Sequence, residues 1–310
     1  MRYDIIGDIH GQADKLHALL ARLGYVQSSG AYRKPDHTAV FVGDFIDRGP
    51  QQVDSVMTVR RMVDAGTALA IMGNHEFNAM AWHTADPLQP GEYLRPHKGP
   101  WGESNRRQHA AFLAEVEGKP ALHAELIGWL FTLPLWLDLN ALRVVHACWH
   151  QDYMNQLQPI LTQDKCLTPE TLQMASTKGE MAFTTVESLT KGLEAPLPNP
   201  YSFHDKDGHE RRNVRLRWWD ESASDYRNLA LMSQELRDQI PDIPVPLHLR
   251  AAYDGQKPVF FGHYWMTGTP YRQSRHAACV DYSAGKDGPL VAYQFDGEEE
   301  IQNGNFITHQ

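Results

Sequence analysis

Short apolar runs rich in β-branched residues recur along the chain, and each stops at a Gly or a His followed by polar residues. They are YDIIGD at 3–8, AVFVGD at 39–44, LAIMGN at 69–74, LRVVHA at 142–147 and PVFFGH at 258–263. Each reads as a buried strand entering a loop. Between the first two, GQADKLHALLARLG sets Leu16, Leu19, Leu20 and Leu23 at helical spacing, and Gly24 is placed to cap that helix at its C-terminus. Past the second, Pro50 opens a helix with Val53, Val56, Met57 and Val63 on one face, and Gly66 closes it before the third run.

The order strand, helix, strand, helix, strand predicts an α/β fold with parallel strand pairs and helices packed against the sheet. In such sheets ligands sit beyond the carboxyl ends of the strands. Residues 77 to 135 read as a Pro- and Gly-rich loop followed by helices, one of them around RQHAAFLAEV. The chain thus reads as one domain over 1–310, in which 151–250, more heterogeneous in pattern, is a mostly helical or irregular, cap-like insertion. The tail HAACVDYSAGKDGPLVAYQFDG reads as a β-hairpin, because GKDG is strong turn chemistry between two apolar runs.

Composition narrows this picture. No apolar run approaches the roughly 18 residues a membrane span requires, and MRYDIIGD enters a strand at once with no secretory signal, so the expected location is the cytoplasm. Three cysteines without CxxC spacing indicate neither a disulfide framework nor a thiolate zinc site. A formal net charge of −9 gives no overall reason to bind duplex nucleic acid. The 16 histidines, by contrast, are an ample supply of imidazole for a metal.

Each strand end carries a metal-ligand residue type. GDIHG puts Asp8 and His10 two residues apart after the first run. GDFIDRG offers Asp44, whose two carboxylate oxygens can bridge two cations, then Asp47 and Arg48, a guanidinium suited to phosphate. GNHE supplies Asn74 as a neutral oxygen ligand, His75 as a general acid and Glu76 as a supporting residue behind the ligands. His146 and His263 follow the last two runs. Any one of these alone is ordinary, but five strand ends presenting Asp-x-His, Asp, Asn, His and His are not a chance pattern.

Through GDIHG, GDFIDRG, GNHE and the two later histidines the sequence resembles the calcineurin-like metallophosphoesterases, in particular their protein-phosphatase and diadenosine-tetraphosphatase branch. The resemblance implies a layered β-sandwich core with flanking helices. It also implies that Asp8, His10 and Asp44 hold one divalent cation, while Asp44, Asn74, His146 and His263 hold a second. Arg48 would bind the substrate phosphate, and His75, oriented by Asp47, would protonate the leaving oxygen. The fourth motif departs from the family's small HGG: here it is HACWH, with the bulkier Cys148 and Trp149.

Mixed oxygen and imidazole donors suit Mn²⁺, Fe or Zn²⁺. Two such cations ~3.5–4 Å apart would clamp an in-line displacement by water, so no Ser or Cys nucleophile is needed. Arg215 and Arg217, in HERRNVRLRWWDE, are further candidates for phosphate, and Trp101, Trp149, Trp218, Trp219 and Trp265 for stacking on a nucleobase. Phosphoprotein, dinucleoside polyphosphate and a nucleic-acid terminal phosphate compete as substrates, and the tail resembles the bacterial diadenosine-tetraphosphatase and polynucleotide-phosphatase relatives. The competing reading is a catalytically inactive binding protein on the same fold, which would be expected to lack a ligand or the acid; all are present here.

Overall fold

The structure, a computed structural model, describes residues 2–205 and 208–310. Positions 206 and 207, within LPNPYSFHDKDGHERRN, and position 1 lie outside the described residues.

The chain opens with β1 (Arg2–Ile6), α1 (Ala13–Arg22), a short ribbon of β2 (Val26–Ser28) and β3 (Ala31–Arg33), β4 (His37–Phe41), α2 (Gln52–Asp64), β5 (Ala68–Ala70) and α3 (Asn74–His83). Then follow α4 (Gly99–Val116), α5 (Pro120–Leu130), β6 (Trp136–Asp138), β7 (Arg143–Val145), α6 (Gln151–Leu157), α7 (Pro169–Ser176) and α8 (Met181–Lys191). Four short strands come next: β8 (Glu194–Pro196), β9 (Phe203–His204), β10 (Glu210–Arg211) and β11 (Asn213–Arg215). The chain ends with β12 (Val259–Phe261), β13 (Ala277–Cys279), β14 (Val291–Phe295) and β15 (Phe306–Thr308). All five apolar runs are therefore strands, but they serve two sheets rather than one. A five-stranded sheet has the order β15-β14-β1-β4-β5, and a four-stranded sheet the order β13-β12-β7-β6. The motif-bearing pairs β1–β4, β4–β5 and β7–β12 are parallel.

Successive side chains on a strand point to opposite faces, and here both faces are covered. Ile5, Val40, Val144, Phe260, Tyr293 and Phe295 meet in one buried cluster contributed by both sheets. Their neighbours Ile6, Phe41, Val145 and Phe261 turn outward into a second cluster under the helices. Two sheets sharing an apolar interior with helices outside are the layered sandwich the motifs implied.

Leu16, Leu19 and Leu20 of α1 are buried as the spacing predicts, and Gly24 follows the helix at φ +89°. The second helix differs from expectation. Its buried apolar side chains are Val56, Val59 and Met62, with Val53, Met57 and Val63 only partly covered. The face is turned because α4 packs alongside α2, and Glu115 of α4 accepts the N–H groups of Gln52 (2.6 Å) and Val53 (3.0 Å), donors that a helix start leaves unpaired. GNHE and its continuation are also helical to His83, so the expected loop begins only after α3.

The tail corrects a further expectation. β13 pairs parallel with β12 in one sheet, while β14 pairs antiparallel with β1 in the other, so the GKDG turn carries the chain between sheets instead of closing a hairpin. Within 151–250, Met154, Leu157, Leu172, Val186, Leu189, Val214 and Leu216 join the same apolar cluster as the first-half strands.

Candidate metal centre

The loops after the strands are tied to one another by main-chain bonds. The N–H groups of Ile9 and His10 donate to Asp44 O at 3.0 and 2.9 Å, Gly49 N–H to His10 O at 2.8 Å, and Gly262 N–H to His146 O at 2.8 Å. His263 N–H reaches the other sheet's loop, donating to Asp8 Oδ2 at 2.9 Å. His10, Asp44, Asp47, Arg48 and His263 all lie at φ between +50° and +78°, a region that side-chain-bearing residues seldom adopt. Strain of this kind persists only where the surroundings over-determine it. Glu76 is part of that restraint: its carboxylate accepts N–H groups from Gly73 (2.9 Å), Asp44 (2.7 Å) and Phe45 (2.8 Å).

The result is a cup of buried donors around Asp44 Oδ2. His10 Nε2 is 3.7 Å from it, His146 Nε2 3.4 Å and His75 Nε2 3.9 Å. Two of the imidazoles are oriented from behind: His10 Nδ1 is 3.0 Å from Ile46 O and His146 Nδ1 is 2.7 Å from Val42 O, which leaves both Nε2 atoms facing the cup. Asn74 Oδ1 is 2.8 Å from His263 Nδ1 and 3.2 Å from His146 Nε2. Asp8 Oδ1 and His10 Nε2 are buried and make no hydrogen bond, a costly arrangement unless a cation is their partner. A Cβ at Gly262 would collide with Asp8 Oδ1, and one at Gly73 with Asp44 Oδ1, so only glycine leaves these oxygens their room.

Electrostatics favour the same occupant. Burial and the neighbouring Asp281 push the Asp8 carboxyl well up, while burial holds His10 down at about 4, neutral and able to coordinate. Against burial, the charge of Asp44 lifts His146 to about 10. Among the described residues, two groups of three donors meet the spacing for a metal: His10, Asp44 and His75, and Asp44, His146 and His263. Asp44 belongs to both.

Beside the cup, His75 Nδ1 lies 2.5 Å from Asp47 Oδ2 and is raised above its ordinary value: burial works against this, but Asp44 and Asp47 outweigh it. Asp47 is held at about 2, against burial, by hydrogen bonds from His109 and His75. His109, on α4, is a residue the motifs did not reveal: its Nδ1 is 2.8 Å from Asp47 Oδ1. The sequence does hold a signal, since His109 falls in line with Phe112, Leu113 and Val116 on the buried face of α4. Asp281 was also missed. It accepts N–H groups from Trp265 (2.7 Å) and Ser283 (2.9 Å) and so fixes the loop that carries Trp265.

Of the cationic candidates, exposed Arg48 lies over the Trp265 ring at 5.3 Å, with Lys286 at 4.6 Å from the same ring. Arg215 reaches the cup, its Nη1 3.4 Å from His263 Nε2. Arg217 does not join them; it is bonded to Asn228 O and paired with Asp220 at 3.2 Å. Trp149, Trp218 and Trp219 are buried core residues, Trp265 stacks on His10 at 5.1 Å, and Trp101 is 68% exposed. Cys148 and Trp149 point into the core, with the Arg143 guanidinium 4.9 Å from the Trp149 ring, so the bulk of HACWH does not fill the cup.

A bis(5'-nucleosyl)-tetraphosphatase PrpE [asymmetrical] of Halalkalibacterium halodurans is 45% identical over 76 residues, 24% of this chain and 31% of the relative. Its counterpart from Anoxybacillus flavithermus is 29% identical over 159 residues, 50% of this chain and 61% of the relative. The chain thus spans between about a third and three fifths of the length of these two relatives. A protein serine/threonine phosphatase from Saccharomyces cerevisiae shares the fold with a TM-score of 0.52 at 16% identity, over 99% of this chain and 78% of that one. The calcineurin-like phosphoesterase family profile matches residues 1–157, half of the chain. With that match, the chain belongs to the calcineurin-like phosphoesterase family.

Proposed function

We propose that the chain is a dinuclear-metal phosphoester hydrolase acting on a dinucleoside polyphosphate. The observation that carries this reading is that Asp44 belongs to both donor groups, its Oδ2 lying 3.7 Å from His10 Nε2 and 3.4 Å from His146 Nε2. Asp8, His10 and Asp44 would hold one divalent cation, and Asp44, Asn74, His146 and His263 the other. Carboxylate, amide and imidazole donors together favour Mn²⁺, with Fe or Zn²⁺ as alternatives. Bound there, the pair supplies Lewis acidity toward a phosphoryl oxygen and activation of a water.

The chain's own residues do the rest. Arg48 and Arg215 grip the phosphoryl oxygens from two sides of the cup. As the water oxygen bonds to phosphorus and the phosphorus–oxygen bond to the leaving group breaks, His75 Nε2 gives its proton to the departing oxygen. Asp47 holds the His75 ring and supports its charged form. Residues 151–250 supply Arg215 and part of the common core, so in this reading they form a wall of one domain. The dinucleoside substrate rests on the names of the relatives, whose similarity covers the motifs.

The test is reconstitution. After metal removal, Mn²⁺ should restore hydrolysis of p-nitrophenyl phosphate and diadenosine tetraphosphate, and chelator should abolish it. Asp44→Asn tolerates the same φ, since Asn enters the left-handed region readily, yet should lose both bound metal and turnover. An Asp44→Asn protein that keeps its metal and its activity would overturn the bridging assignment.

A further inference from the structure

A groove of about 580 Å³ runs along α3, and its floor is Phe77, Asn78 and Ala81. These residues are at one-face helical spacing, and Asn78 lies ~4.5 Å along the axis from His75, at 1.5 Å per residue. Along α3 the groove's lining therefore begins within one helical turn of the group that protonates the leaving oxygen. Its size falls within the roughly 300–1,000 Å³ of ordinary small-molecule sites.

Its lining is unusual for the surface of this chain. Three of the exposed large apolar residues, Leu88, Tyr93 and Trp101, line it together, at 70, 37 and 68% exposure. Tyr93 is held in place by a stack: its ring lies 3.9 Å from that of His97, which lies 3.7 Å from that of Trp82. Arg95, Lys178 and Lys191 supply three cations against Asp86 and Glu187, although the chain as a whole is strongly acidic. Both carboxylates are engaged: Asp86 accepts from Leu88 N–H and Gln89 Nε2, and Glu187 is paired with Lys191. Arg95 donates to Asn78 Oδ1 at 2.6 Å and to Gln108 Oε1 at 2.8 Å, which sets its guanidinium at the His75 end of the floor, and its Nε is buried without a partner.

We propose that this groove is the subsite for the leaving half of the substrate, a nucleoside 5′-phosphate whose base stacks at Trp101 and Tyr93 and whose phosphates meet Arg95 and Lys178. This rests on the reading of the centre as a phosphoesterase acting on dinucleoside polyphosphates. A base needs a flat apolar surface and a phosphate chain needs positive charge. The groove offers both, with Arg95 bonded to Asn78, one helical turn from His75.

Two measurements test it. The first is calorimetric binding of AMP and of ribose 5-phosphate to the full chain in chelator, compared with Trp101→Ala and Lys178→Glu. AMP should bind about tenfold more tightly than ribose 5-phosphate, and Trp101→Ala should erase that difference, the size of one base–aromatic stack. Lys178→Glu should weaken both ligands. The second uses the Mn²⁺-loaded enzyme: Trp101→Ala should lower the ratio of kcat/KM for diadenosine tetraphosphate to that for p-nitrophenyl phosphate by about tenfold. Equal binding of AMP and ribose 5-phosphate, an unchanged ratio, or a Trp101→Ala loss confined to a phosphopeptide substrate would overturn the proposal. Failure of the loaded wild type to hydrolyse either compound would instead sink the reading of the centre, while the AMP measurement, made without metal, still decides the groove.

Discussion

The two stretches of α3 serve different ends. At its start, Asn74 and His75 enter a cup whose Asp8, His10, Asp44 and His146 are at most 2% exposed, with loop backbone held in strained conformations by Glu76 and by bonds between motifs. A turn further on, the same helix floors an open groove whose exposed apolar side chains are Leu88 and Tyr93, from the connection between α3 and α4, and Trp101, from the start of α4. The contrast separates two kinds of specificity. Chemistry requires donors fixed to a fraction of an ångström, so it is encoded in short motifs at strand ends. Choice of leaving group requires only a surface of suitable shape and charge, which no short motif records.

If that separation is real, substitutions near the cup should affect turnover and those in the groove substrate preference. After the loss expected of Asp44→Asn, the largest effect is expected at His75. His75→Asn should slow turnover of diadenosine tetraphosphate by ~10²–10⁴, as for loss of a general acid, with metal content unchanged by elemental analysis. For p-nitrophenyl phosphate, whose leaving group needs a proton less, the loss should be smaller. If the variant also loses its metal, His75 is a ligand, as its place among the donors of one group allows, and the acid must be sought elsewhere.

Much of the cup was readable because each of its donor side chains lies within a few residues of its own strand, so local pattern sufficed to single out Asp8, His10, Asp44, Asn74, His146 and His263. That these loops converge is a property of two sheets facing each other, and here local reading failed in an instructive way. The GKDG sequence specifies a turn but not which sheet receives the following strand, and β14 finds its partner in β1, nearly the whole chain away. The buried face of α2 was misjudged for a related reason: what covers it is α4, and Glu115, some sixty residues on, fixes its start. Arg217 was grouped with Arg215 by sequence proximity, yet Asp220 and Asn228 hold it outside the cup.

His109 stands between the two regions and gives a second, smaller prediction. It comes from α4, the helix that also bears Trp101, yet it is 2% exposed and bonded to the Asp47 that orients His75. Loss of such an outer partner typically costs ~10–100-fold, and the lower end is expected here because Asp47 is also held by Gln52, which accepts its N–H at 2.6 Å. His109→Gln should therefore lower kcat by about tenfold with KM nearly unchanged. It should also flatten the pH profile on the limb that reports His75. A change in KM alone, or a loss of stability with an unaltered profile, would make His109 a packing residue.

The smallest effect lies at the far end of α3. There the ring of exposed His83 meets that of His123 on α5 at 4.5 Å, and His123 Nε2 is buried without a partner. Burial first, then the charges of His83 and His109, hold His123 down at about 4, and burial lowers His83 as well. An unfolded histidine titrates near 6.5, so the unfolded chain binds this proton more readily than the folded one. The stability that neutral His123 contributes is therefore complete above pH ~6.5 and is lost as pH falls from there toward about 4. His123→Gln removes that term, so the Tm difference between parent and variant should change by a few degrees, ~2–4 °C for each kcal/mol, between pH 7.5 and 5. Parallel Tm curves would show that the acid sensitivity of the chain resides elsewhere, with the carboxylates of the cup the next place to look.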